Sequence, residues 1–379
     1  MGTIAVLVVA LLVGVALILS GGAAPKKGAS HSSSTTTTAK ASSTSTSTTQ
    51  ARAVGIGLQS VTWTNTGFAV NPEPGGSARP RTLVTQIWYP SIGGSATTPT
   101  SGQRPDYKGG PFPVIVFAHG FDTLPSTYTP LLASLVRAGF VVVAPIFPDE
   151  NANVINSLTT LAESQIAESD IVNEPNDLAF VVGKVEAGAS GVASSHATFL
   201  KGLAEPGKVA LVGHSDGAQA VAALVYSANY TSIYDAMSVH PFGVVILSGS
   251  ELSGTYKPPA SPPPLLFVQS AVDDCNLPQD AGKLFHDAGG GFFLKLSGAQ
   301  HFAPYIGQGP AAPIAERVTA AFLKAALAGT PTASELATTV LSSSLATLYP
   351  PATAPALIAL PVPTQTQLVS DCAVPNSQP

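Results

Sequence analysis

The chain has 379 residues, 45% of them hydrophobic and 10% charged, which is ample apolar material for a sizeable core. A formal net charge of −5 offers no basic face, and this argues against nucleic acid as a partner. Two cysteines, Cys275 and Cys372, are too few for a disulfide scaffold and lack metal-ligand spacing.

Residues 4–19 form an uninterrupted apolar run, the length of a signal-peptide core and short for a membrane span. Gly21 and Ala23 suit cleavage after Ala23, whereas Lys26 and Lys27 follow the run and no basic residue precedes it. Segment 1–24 is therefore expected to be a signal peptide or a retained membrane anchor, and the protein to be secreted or held at a bacterial cell surface. Outside the cytoplasm, Cys275 and Cys372 are expected to bond. That bond closes a loop of about a hundred residues, which the chain-entropy argument values at roughly 4–5 kcal/mol. Residues 30–50 are almost entirely Ser and Thr, so 25–53 reads as a disordered linker tethering the domain to membrane or cell wall.

A folded domain is expected over 54–329. Residues 61–63 and 83–89 read as opening strands, and 114–118 is an apolar strand ending in His119-Gly120. A helix over 131–138 precedes the apolar run 140–146. Further helices are predicted at 177–186, 219–226, 280–288 and 315–328. The intervening strands fall at 209–212, 244–247, 265–268 and 292–296. Continuous apolar strands alternating with helices imply a doubly wound, mostly parallel α/β sheet with helices on both faces. Ligands then sit at the carboxyl ends of the strands. Segment 330–379 reads as an extension, helical over 334–348 and then Pro-rich.

Gly213-His214-Ser215-Asp216-Gly217 fits the pattern Gly-x-Ser-x-Gly, with a predicted strand directly before it and a helix directly after. That context makes Ser215 the candidate nucleophile. A serine hydroxyl needs a histidine to take its proton and a carboxylate to hold that histidine's tautomer. Of seven histidines, only His301 follows a late strand in a loop of the right place in the order Ser, acid, His. For the acid, Asp274 is preferred over its neighbour Asp273, with Glu251 as an outsider. Phe121 N–H, after Gly120, and Asp216 N–H are the expected donors of an oxyanion hole. The side chains of His119 and Asp216 are read as structural. Segments 151–174 and 187–201 are long connections expected to wall the substrate cleft, and their Ala, Ser, Asn and Leu content suggests neither a charged nor a strongly aromatic substrate.

Leu296-Ser297-Gly298-Ala299-Gln300-His301-Phe302-Ala303-Pro304 resembles the catalytic-histidine segment of secreted bacterial cutinases and polyester hydrolases. Ala271-Val272-Asp273-Asp274, followed by Pro278, resembles their catalytic-aspartate loop. Ile87-Trp88-Tyr89-Pro90 and Val116-Phe117-Ala118-His119-Gly120-Phe121 are closer to the related platelet-activating-factor acetylhydrolase-like, dienelactone-hydrolase-related esterases. The resemblance runs from about residue 54 to 327. It implies an α/β-hydrolase fold, ester hydrolysis through an acyl-enzyme, and no cofactor or metal. Asp216 stands where cutinases carry Met, and Leu247-Ser248-Gly249-Ser250 lacks their tryptophan, which weakens the case for aromatic polyesters. Short- to medium-chain or lipid esters are the expected substrates, with polyesters such as cutin competing. An amidase or peptidase on the same triad and a non-catalytic surface-binding module are the alternatives.

Overall fold

Runs of β-branched and aromatic residues extend, and their side chains alternate between the two faces of one sheet. The computed structural model describes residues 55–70, 77–340 and 344–351. Segments 1–24 and 25–53, and Cys372 with the bond expected for it, lie outside the described residues. The chain divides after Gln50, and every described residue belongs to the second unit, Ala51–Pro379.

Two long strands, β1 (Gly55–Val70) and β2 (Arg79–Ser91), pair antiparallel, and the two-residue β3 (Thr100–Ser101) lies beside β1. Next come β4 (Phe112–Ala118), α1 (Thr129–Arg137) and β5 (Val141–Ile146). The long connection that follows holds α2 (Ala152–Ile155) and α3 (Leu161–Glu168) before α4 (Glu174–Ala189). The order continues with β6 (Ala204–His214), α5 (Asp216–Tyr226), α6 (Thr231–Asp235), β7 (Val244–Leu247) and β8 (Leu265–Ser270). It closes with α7 (Pro278–Asp287), β9 (Phe292–Leu296), α8 (Ala312–Ala328), α9 (Ala333–Val340) and β10 (Ala346–Tyr349).

Among the described residues these strands form one sheet in the order β10-β9-β8-β7-β6-β4-β5-β2-β1-β3. Strands β4 to β9 run parallel to their neighbours in that set, while β2 and β10 join antiparallel. Period-two alternation sends Val114 and Val116 to the face covered by α4 and α5, and Ile115 and Phe117 to the face covered by α1 and α8. This is the doubly wound α/β layout the sequence predicts, with all its parallel strands ending on one side.

Two differences matter. The stretch 334–348 is not one helix: α9 stops at Val340, three serines occupy 342–344, and Ala346–Tyr349 pairs with β9 from Leu296 to Phe293. Serine is a mediocre helix former, and the open edge of β9 offers unpaired backbone groups, so the strand wins. The pairing also extends to Ser297 N–H, which donates to Leu345 O (2.9 Å) and steadies the loop leading to His301. Second, α3 begins with a capping box in which Thr160 and Glu163 satisfy each other's backbone N–H groups.

A buried arginine fastens the long connection to the sheet. Arg81 on β2 is 2% exposed, and its guanidinium donates to Asp177 on α4 (2.6 Å at the shortest), to Asp170 (2.7 Å) and to Asp149 (3.4 Å).

Candidate active site

Between β6 and α5 the chain reverses within one residue. Ser215 has φ 55° and ψ −122°, a left-handed conformation that a non-glycine residue holds only at a cost. The flanking glycines are required by space: a Cβ on Gly213 would collide with the Gly217 carbonyl, and one on Gly217 with the Ala118 carbonyl. The strained turn presents Ser215 at the carboxyl end of β6, where it is 8% exposed.

The His301 loop brings its imidazole onto that serine. His301 Nε2 lies 2.8 Å from Ser215 Oγ, and Nδ1 lies 2.9 and 3.0 Å from the two carboxylate oxygens of Asp273. Asp273 is fully buried and His301 is 1% exposed, so water competes little for these bonds. The arrangement fixes the tautomer: Nδ1–H donates to Asp273, leaving the Nε2 lone pair to accept the serine hydroxyl.

The preference for Asp274 is corrected. Asp273 Oδ1 also accepts the N–H groups of Cys275 and Asn276 (3.1 Å each), the local turn that an aspartate makes with the backbone two and three residues on. That turn aims the Asp273 carboxylate at His301. Asn276 ties the same loop to the end of β7 by donating from Nδ2 to Ser248 O (2.6 Å). Among the described residues, Asp273, Cys275 and His301 also group with metal-ligand spacing, but two of the three are engaged in the serine relay.

The loop after β4 packs against Ser215. A Cβ on Gly120 would come within 2.9 Å of Ser215 Cβ. Buried His119 locks this loop: its Nε2 accepts Phe147 N–H (3.0 Å), so its Nδ1–H donates to Gly120 O (2.9 Å). Burial holds the His119 pKa down to about 4, so the ring is neutral. This agrees with a structural role for its side chain. No acceptor among the described residues takes the Phe121 N–H. Asp216 is the first residue of α5, where a backbone N–H has no partner within the helix.

A second chain of hydrogen bonds joins these two loops, and no motif in the sequence marks it. His214 Nε2–H donates to His301 O (3.2 Å), which leaves Nδ1 to accept from Tyr128 OH (2.8 Å). The Tyr128 oxygen in turn accepts Gly120 N–H (3.1 Å), and Thr123 Oγ1 donates to Gly120 O (2.5 Å). Burial first, and His301 second, hold His214 well below the usual imidazole range.

The Asp216 carboxyl is half-buried beside Ser215 and accepts from Gln219 Nε2 (3.1 Å). Burial, then the Glu168 charge, pushes it up to about 7. The connection 150–174 places Glu150, Glu168, Asp170 and Glu174 in the same electrostatic neighbourhood. This connection is therefore more acidic near Asp216 than its Ala, Ser, Asn and Leu content suggests.

Residues 99–271 match the family model for chlorophyllase. That stretch is less than half the chain; it includes the elbow and the loop after β4 and stops short of Asp273 and His301. A solved ferulic acid esterase from Streptomyces cinnamoneus superposes with a TM-score of 0.52 at 19% identity, over 75% of this chain and 93% of that one. The chain has the α/β-hydrolase fold. The family-model match supports a carboxylic ester hydrolase, and the structural match supports the fold itself. No curated protein matches this sequence.

Proposed function

We propose that the protein is an exported serine carboxylic-ester hydrolase with Ser215, His301 and Asp273 as its triad. The observation that carries this reading is the unbroken line from Ser215 Oγ through His301 to Asp273, with bonds of 2.8 and 2.9 Å on a strained elbow. Ser215 Oγ bonds to the ester carbonyl carbon as its proton passes to His301 Nε2. The carbonyl electron pair moves onto oxygen, where the N–H groups of Phe121 and Asp216 hold the charge. His301 returns the proton to the alkoxy oxygen as the carbon–oxygen bond breaks, leaving an acyl-serine and a free alcohol. Water then repeats the sequence, giving the acid and restoring Ser215. Asp273 keeps its charge throughout and stabilises the imidazolium.

Short- to medium-chain or lipid esters are the proposed substrates. Export rests on the apolar run 4–19 and the Ser/Thr tract behind it. The test is hydrolysis of p-nitrophenyl acetate, butyrate and palmitate by the purified protein and by Ser215→Ala. Turnover that Ser215→Ala reduces by at least about 10³-fold supports the reading. A folded wild type that turns over none of the three overturns it, and the chain-length profile separates esterase from lipase behaviour.

A further inference from the structure

Behind the loop that carries Phe121 runs the segment following β5, and it holds that loop at several points. Asp122 N–H donates to Glu150 O (2.9 Å), Ala152 N–H donates to Thr123 O (3.2 Å), and Thr123 forms a bridge with Asn151. Whatever fixes residue 150 therefore fixes the position of the Phe121 N–H.

Glu150 and Glu174 are both fully buried. None of their four carboxyl oxygens meets an N–H or hydroxyl donor among the described residues, and the two carboxyl groups lie close enough to act directly on each other. Two carboxylates in such contact cannot both stay ionised, whereas an acid paired with a carboxylate forms a strong charge-assisted bond. The surroundings supply no relief. The charged groups that act on the pair include Asp170 and Glu168, ahead of α4, and Asp216, on α5, all acidic, and Glu150 in turn acts on Tyr128. Among the described residues the buried cation Arg81, which pairs with Asp170, is also taken up by Asp177 and Asp149.

We propose that Glu150 and Glu174 share a single proton, and that this bond between the β5–α2 segment and the first turn of α4 positions the oxyanion-hole loop. They are positioning residues, since neither touches the reacting atoms. Loss of the proton leaves two buried like charges, separates residue 150 from α4, and shifts the loop that presents Phe121. The link to catalysis rests on the esterase reading above; the shared proton does not.

Two measurements test this. In protein labelled with ¹³C at glutamate side chains, one carboxyl carbon should keep the shift of a protonated acid at pH 7, and Glu174→Gln should abolish that signal. A wild type whose glutamates are all ionised at pH 7 overturns the proposal without any variant. For the positioning role, Glu174→Ala should lower kcat about tenfold at neutral pH with KM within twofold. Glu174→Gln, whose amide N–H stands in for the shared proton, should recover most of that loss and carry the alkaline limb of the pH profile upward by at least one unit. Profiles of Glu174→Gln and wild type that superimpose from pH 6 to 10 overturn the link to the loop. A protonated pair in a protein that hydrolyses no ester leaves the pair standing and overturns the esterase reading instead.

Discussion

The Asp273 carboxylate sits 2.9 Å from His301 Nδ1 and, through its other oxygen, accepts the backbone N–H groups of Cys275 and Asn276. The turn that shapes the loop and the orientation of the base thus depend on one side chain. Asp273→Asn should lower kcat by about 10³–10⁴, because the amide cannot accept the Nδ1 proton in the same way and favours the wrong tautomer. Asp274→Asn should stay within a few-fold of wild type. Steady-state rates on p-nitrophenyl butyrate, measured on variants with wild-type circular dichroism, decide between the two aspartates.

Tyr128→Phe removes the hydroxyl that accepts Gly120 N–H and donates to His214. A buried N–H and a buried imidazole nitrogen then lose their partner together. The expected cost is about 1–3 kcal/mol of stability. A fall of about tenfold in kcat should accompany it, as the Gly120 backbone loses its anchor. Urea unfolding and KM-resolved kinetics check the two effects separately.

His119 gives the protein an acid-sensitive core. Its folded pKa is held down to about 4 against 6.5 for a free imidazole, so between those values the unfolded chain binds a proton that the native one refuses. Stability is therefore full above about pH 6.5 and is lost as pH falls towards 4, by up to about 3 kcal/mol from this residue. His214, also depressed, acts in the same direction. Unfolding free energies at pH 7 and 5 should show the drop, and His119→Gln should flatten it.

Arg81→Met leaves Asp177 and Asp170 buried without their cation. The expected loss is about 3–5 kcal/mol. Activity per folded molecule should change far less, since the arginine touches none of the triad. Thermal melts alongside active-site titration with an organophosphate separate those outcomes.

The sheet was legible because its signals are local. Val244–Leu247 and Phe292–Leu296 are strands over the very residues their apolar runs mark, and the two glycines around Ser215 announce a turn that no Cβ permits. Chain order alone brought His301 to Ser215. What stayed hidden depends on three-dimensional neighbours. The choice between Asp273 and Asp274 turns on side-chain direction within one loop, which adjacent identical residues do not reveal. Tyr128 reaches His214 across 86 positions of sequence with no motif to mark either partner. Glu150 and Glu174 lie in an unremarkable connection, and only burial makes them a pair. The capping box at Thr160 and Glu163 is the exception, since that spacing signals a helix start in the sequence itself.

Strand β10 has a consequence for how molecules of this kind meet one another. Without it, β9 would present a bare row of backbone donors and acceptors, a template on which a second chain could grow the sheet. Four residues cover that row, and Pro350 and Pro351 follow at once, denying the newcomer two N–H groups. The molecule thus carries its own stopper against fibre-like growth. A chain cut after α8 would lose it and bare a sticky margin beside the loop that bears His301.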